Sequence, residues 1–108
     1  MQRYPLAPGA ASALYLAVFS PALATPVTSA DLSGKKICWD NGSASNYGHG
    51  GKYSNNVSGH GTWSLTSSGV RVHTDRYDYV ASIQKMPDGT FHAVVLGAGM
   101  KSSGKYCN

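Results

Sequence analysis

The chain has 108 residues, nine Lys and Arg against five acidic side chains, four His, and a formal net charge of +4. All five acids are Asp; with Glu absent, hydrolysis by a Glu-based acid–base pair is excluded, and the length allows one small domain. The cations are scattered, with Lys35-Lys36 the only adjacent pair, which reads as solvated surface charge and predicts no nucleic-acid partner.

The first element is a leader. Arg3 supplies a positive charge, Ala10 to Phe19 form an apolar run, and Ser20-Pro21 precede the small-residue site Ala22-Leu23-Ala24. That order of charge, apolar core and A-x-A site predicts a signal-peptide helix over 1–24, with an alternative cut after Ala30. The run is shorter than the roughly 20 residues a bilayer requires, so no membrane span is expected after cleavage. The implied location is secreted or periplasmic, and the short leader has a bacterial style. Removing the first 24 residues leaves 84 and takes Arg3 away, lowering the net charge to +3.

Residues 25–33 read as a flexible lead-in and 34–108 as the domain. Beyond the leader Leu is scarce, Gly, Ser and Thr are abundant, and Val, Ile, Tyr and Trp fall in short runs between turn residues. This composition predicts an all-β domain. Lys36-Ile37-Cys38-Trp39 is the first strand, ended by the turn Asp40-Asn41-Gly42-Ser43. From Ser43 to Gly51 no strand is expected, and a short one is placed at Lys52-Tyr53-Ser54. Gly59-His60-Gly61 suggests a bulge or close backbone approach before Thr62–Thr66. Ser67-Ser68-Gly69 is a hairpin loop into Val70–Thr74, where the valines face one way and Arg71 and His73 the other. Tyr77, Tyr79, Ala81 and Ile83 share a face of the next strand. Pro87-Asp88-Gly89 is a strong turn signal, followed by the most apolar strand, Thr90–Leu96. Gly97-Ala98-Gly99 and Ser102-Ser103-Gly104 are expected in a loop before Lys105-Tyr106-Cys107.

Six or seven short strands in this order predict a single antiparallel meander. Only two cysteines occur, Cys38 and Cys107. In an oxidising compartment the simplest pairing is one intrachain disulfide, free thiols or an interchain bond being the alternatives. A bond across about 70 residues corresponds to about 4 kcal/mol in the chain-entropy model. It would bring the first and last strands together, so the meander becomes a curled sheet or small barrel.

Motifs for chemistry are sparse. His49, His60, His73 and His92 have no chelating spacing, so no metal site and no cofactor are expected. His73, Asp75 and Ser82 can be grouped as a small hydrolase, without a nucleophile-elbow motif. Asp75 and Asp78 beside Arg76 read better as a turn cap or ion pair. Eight aromatics follow the leader, and Trp63, Tyr79 and Phe91 read as core. Tyr47 and Tyr53, flanked by Gly, Ser and Asn, read as exposed rings, and with His49 and His60 they form the candidate binding set.

The blocks Gly34-Lys35-Lys36-Ile37-Cys38-Trp39, Gly50-Gly51-Lys52-Tyr53, Gly61-Thr62-Trp63 and Pro87-Asp88-Gly89-Thr90-Phe91 resemble those of small exported bacterial single-domain β proteins of unknown function. A looser similarity is to avidin-like and lipocalin-like barrels, in which a G-x-W element opens a meander. That resemblance implies a curled meander and transfers no ligand, because the ligand contacts of those barrels cannot be placed on these positions and the chain is short for eight full strands. The expected function is therefore a binding or inhibitor-like module whose target is an envelope protein, a glycan or a small ligand. The alternatives are a small His/Asp hydrolase and a passive envelope or surface component.

Overall fold

A computed structural model describes residues 23–108. All but the last two residues of the expected leader lie outside them. The described chain forms a two-residue strand β1 (Thr25–Pro26), a one-turn helix α1 (Ser29–Leu32), and eight longer strands. These are β2 (Lys35–Trp39), β3 (Ala44–Tyr47), β4 (Lys52–Asn55), β5 (Gly59–Thr66), β6 (Gly69–Thr74), β7 (Asp78–Lys85), β8 (Phe91–Val95) and β9 (Lys101–Tyr106). A 3₁₀ turn at His49–Gly51 lies between β3 and β4.

Strands β2 to β9 pair antiparallel in chain order, and β9 returns to β2 with Lys105 opposite Cys38 and Tyr106 opposite Ile37. The meander is thus a closed eight-stranded barrel, with β1 added beside the end of β7 through Thr25–Lys85 and Pro26–Gln84. Closure removes the open edges that a curled sheet would leave available to other chains.

The expected disulfide is present. Cys38 and Cys107 are bonded with their Cα atoms 5.8 Å apart, on the β2–β9 seam that closes the barrel. Ile37 and Trp39 are buried on either side of Cys38, so the period-2 alternation turns the sulfur outward.

Two strands depart from expectation. Residues 44–47 form β3, paired to β2 and β4, where a loop was expected. Ser102-Ser103-Gly104 lie inside β9 rather than in a loop. Eight strands therefore fit because most are only four to six residues long. The close approach expected near Gly61 is real: a Cβ there would collide with the His73 carbonyl. Gly104 has a similar role, since a Cβ would stand 2.7 Å from the Trp39 ring.

Segment 25–33, read as a flexible lead-in, packs against one end of the barrel. The Thr28 hydroxyl accepts from the Asp31 amide, and the Asp31 carboxylate accepts from the Thr28 amide, a capping box around a single turn. Lys85 reaches Asp31 at 3.1 Å, and the Tyr106 hydroxyl donates to the Asp31 carbonyl at 2.7 Å. These ties seat Leu32, which is fully buried in one cluster with Val27, Ile37, Trp63 and Phe91. Burying such a side chain stabilises by about 1.5–3 kcal/mol. Tyr47 makes edge contacts with Tyr53 and Trp63 at centroid distances of 5.4 and 5.7 Å. The α1 end is therefore a packed plug.

Candidate functional site

Above the plug the interior is not filled. A cavity of about 450 Å³ runs toward the opposite end, where the turns after β2, β4, β6 and β8 surround its mouth. Eight strands give a barrel just wide enough for side chains to fill or for one small ligand, and the inward residues decide which. Here Ala81, Ala93, Ser45 and Ser102 occupy lining positions where larger residues would close the space.

The lining divides into two walls. Val70, Val72, Ala81, Ile83, Ala93 and Val95, from β6 to β8, make an apolar side. Trp39, Ser45, Tyr47 and Asn55, from β2 to β4, make the other, and Tyr79 stands beside them. Ser45 Oγ accepts the Trp39 indole N–H at 3.0 Å and an Asn55 amide N–H at 3.0 Å. Behind it lies the Tyr53 hydroxyl at 2.9 Å, and 3.5 Å farther on the Tyr79 hydroxyl. Asn55 Oδ1 accepts the amides of Val57 and Ser58 at 2.8 and 3.2 Å, which ties the β4–β5 turn to the cluster.

Burial and then the contact with Tyr53 push the Tyr79 phenol well above its usual range. Burial, followed by the neighbouring Tyr53, does the same for Tyr47. These phenols therefore stay protonated and uncharged throughout the range in which the protein would work. Among the described residues Asp78 is the one charged residue in the cavity lining, and its carboxylate turns outward to Arg71 at 2.9 Å and His73 at 3.7 Å. The mouth carries exposed apolar side chains: Val57, Tyr77 and Met100 lie on its rim, more than half exposed.

Of the four residues expected to bind, the structure brings two to the cavity region and leaves two away from it. Tyr47 lines the cavity and Tyr53 stands behind Ser45; both are 3 % exposed, which corrects the expectation of surface rings. The cause is the missed strand: once 44–47 pairs with 52–55, alternation turns both rings inward. His49 instead sits outside on the 3₁₀ turn, its Nδ1 3.0 Å from the Ser33 hydroxyl, and His60 is exposed on β5. Among the described residues no three His, Cys, Asp or Glu side chains come together.

The grouping of His73, Asp75 and Ser82 is not assembled. His73 is opposite Asp78, whereas Ser82 lies four residues farther along β7 and opposite Val94, roughly 13 Å away at strand spacing. The ion pair expected in that region forms between Asp78 and Arg71, while Arg76 donates to the Val57 carbonyl at 3.0 Å. Sequence reasoning did not single out Ser45, Asn55 or Ser58, whose residue types are common in turns. Tyr79 was placed on the inward face, as core.

The chain matches no protein-family model, no curated protein and no solved structure.

Proposed function

We propose that this protein is an exported binding module that holds one small, largely apolar molecule inside its barrel. The observation that carries the reading is the cavity of about 450 Å³, plugged at the α1 end and open at the other. Such a volume is within the usual range for small-molecule sites, and an apolar wall with a few convergent polar groups is their usual lining. At about 30 Å³ for each water-sized unit, the space takes a ligand of roughly 15 non-hydrogen atoms. The apolar rim of Val57, Tyr77 and Met100 suits a ligand that enters from a hydrophobic source. Export is supported by the leader pattern of residues 1–24 and agrees with the Cys38–Cys107 bond, since disulfides persist in oxidising compartments.

The test is fluorescence titration of the purified oxidised protein with N-phenylnaphthylamine, an apolar dye that brightens when removed from water. The expected result is saturable binding of one dye per chain, abolished by Ala81→Phe on the cavity wall. No saturable binding, or binding unchanged in a folded Ala81→Phe variant, overturns the reading and leaves the passive envelope component as the better account.

A further inference from the structure

The polar wall of the cavity has a direction, and counting its protons shows what it lacks. Ser45 Oγ receives two N–H donors, from Trp39 and Asn55, neither of which can act as an acceptor there. Both its lone pairs are engaged, so its own proton goes to Tyr53 Oη at 2.9 Å. Tyr53 Oη also accepts an Asn55 amide N–H at 3.3 Å, and Tyr53 and Tyr79 then hold two phenol protons and one mutual contact, at 3.5 Å, long for an O–H···O bond. Whichever phenol donates across that gap, one proton is left without an acceptor among the described residues. It is less costly at Tyr79, which faces the cavity, than at Tyr53, which is 3 % exposed. A second, independent observation points to the same need. Ser58 lines the cavity, is 7 % exposed, and its hydroxyl is the one buried side-chain polar atom without a partner among the described residues.

We infer that the ligand is uncharged and carries a hydrogen-bond acceptor of the carbonyl type (a ketone, ester or amide), which takes the free proton of Tyr79 while Ser58 supplies a further donor to its polar end. The remainder of the molecule lies against the apolar wall of Val70, Val72, Ile83 and Val95. A carboxylate is disfavoured because among the described residues no Lys or Arg lines the cavity, and a buried anion without a cation is strongly penalised. A plain hydrocarbon leaves both hydroxyls desolvated and unpaired.

This inference rests on the cavity being a ligand site, and the experiment separates the two. Undecanone, undecane and decanoic acid compete at neutral pH against bound N-phenylnaphthylamine. Undecanone is expected to compete about tenfold better than undecane, the equivalent of one hydrogen bond to an otherwise unpaired donor, and better than decanoate. Tyr79→Phe is expected to erase the ketone's advantage while leaving undecane within about twofold, and Ser58→Ala to reduce that advantage about threefold. Equal competition by ketone and alkane, a lead for decanoate, or a ketone preference intact in both variants overturns the inference while leaving the cavity as an apolar site. Failure of the dye and all three competitors to bind overturns both readings.

Discussion

Removal of the Cys38–Cys107 bond should lower stability steeply without altering the cavity. The two residues are 69 positions apart, so the bond closes most of the described chain into one loop. For a loop of that length the chain-entropy model gives about 4 kcal/mol at room temperature. A small domain has a total of about 5–15 kcal/mol, and in a chain of this size each kcal/mol corresponds to about 4–8 °C in Tm. The double variant Cys38→Ser, Cys107→Ser should therefore melt roughly 16–32 °C below the oxidised protein in a circular-dichroism scan. The sulfurs lie on the outer face of the β2–β9 seam, away from the lining. At a temperature where the variant is still folded, its dye affinity should match that of the parent. A loss in Tm below about 5 °C would show that the eight-strand ladder closes without its staple and refute the entropic account. A fall in dye affinity would show that the seam shapes the interior.

Other perturbations address the plug. Leu32→Ala empties a fully buried position under α1 and should cost about 2–5 kcal/mol by denaturant unfolding; a cost below about 1 kcal/mol would mean that α1 does not seal the barrel. For Asp31, burial raises the carboxyl pKa, but the Thr28 amide and hydroxyl and the Lys85 ammonium outweigh it and hold the group below its usual range. A depressed carboxyl contributes stability above its unfolded pKa, near 4, that is lost as pH falls through the lower folded value. Asp31→Asn should therefore lower Tm at neutral pH and flatten the acid limb of the Tm–pH curve, and parallel curves for parent and variant would rule this out.

Most of the barrel was legible from residue pattern. Val70-Arg71-Val72-His73 and Phe91-His92-Ala93 alternate apolar and polar, and their strands lie where that period predicts. The two unread strands share a cause. In β3 the inward residues are Ser45 and Tyr47, and in β9 Ser102 and Gly104 are among the lining or buried positions. Strands that border a cavity with small polar residues lose the apolar alternation that marks a strand packed on a core. Polar hydrogen bonds replace it: Ser45 anchors the network of the polar wall, and Gly104 makes room for Trp39. The sequence was hardest to read at β3 and β9 for the same reason that the cavity is there. The plug was missed differently. Thr28-Ser29-Ala30-Asp31-Leu32 contains a capping-box pattern, but one turn of helix carries too little periodicity to reveal that Leu32 is a core residue.

The empty volume has an energetic consequence of its own. At about 24 cal/mol per Å³, a closed dry void of 450 Å³ would forfeit about 11 kcal/mol of packing, comparable with the whole stability of a small domain. The open mouth and its polar wall admit water, so the true cost is smaller, yet the sign is fixed: side chains that grow into the apolar wall should stabilise. Ala81 and Ala93 point inward at 5 % and 6 % exposure and both line the space. Ala81→Leu and Ala93→Leu each add three carbons, for which a stabilisation of about 1–2 kcal/mol, or roughly 4–16 °C in Tm, is expected. The same substitutions should weaken dye binding more than tenfold. Stability and binding would then move in opposite directions, as expected where a chain keeps a cavity for use rather than for folding. A core without usable space gives the reverse: overpacking there costs about 1–3 kcal/mol, so a fall in Tm on both substitutions would remove the cavity from the account.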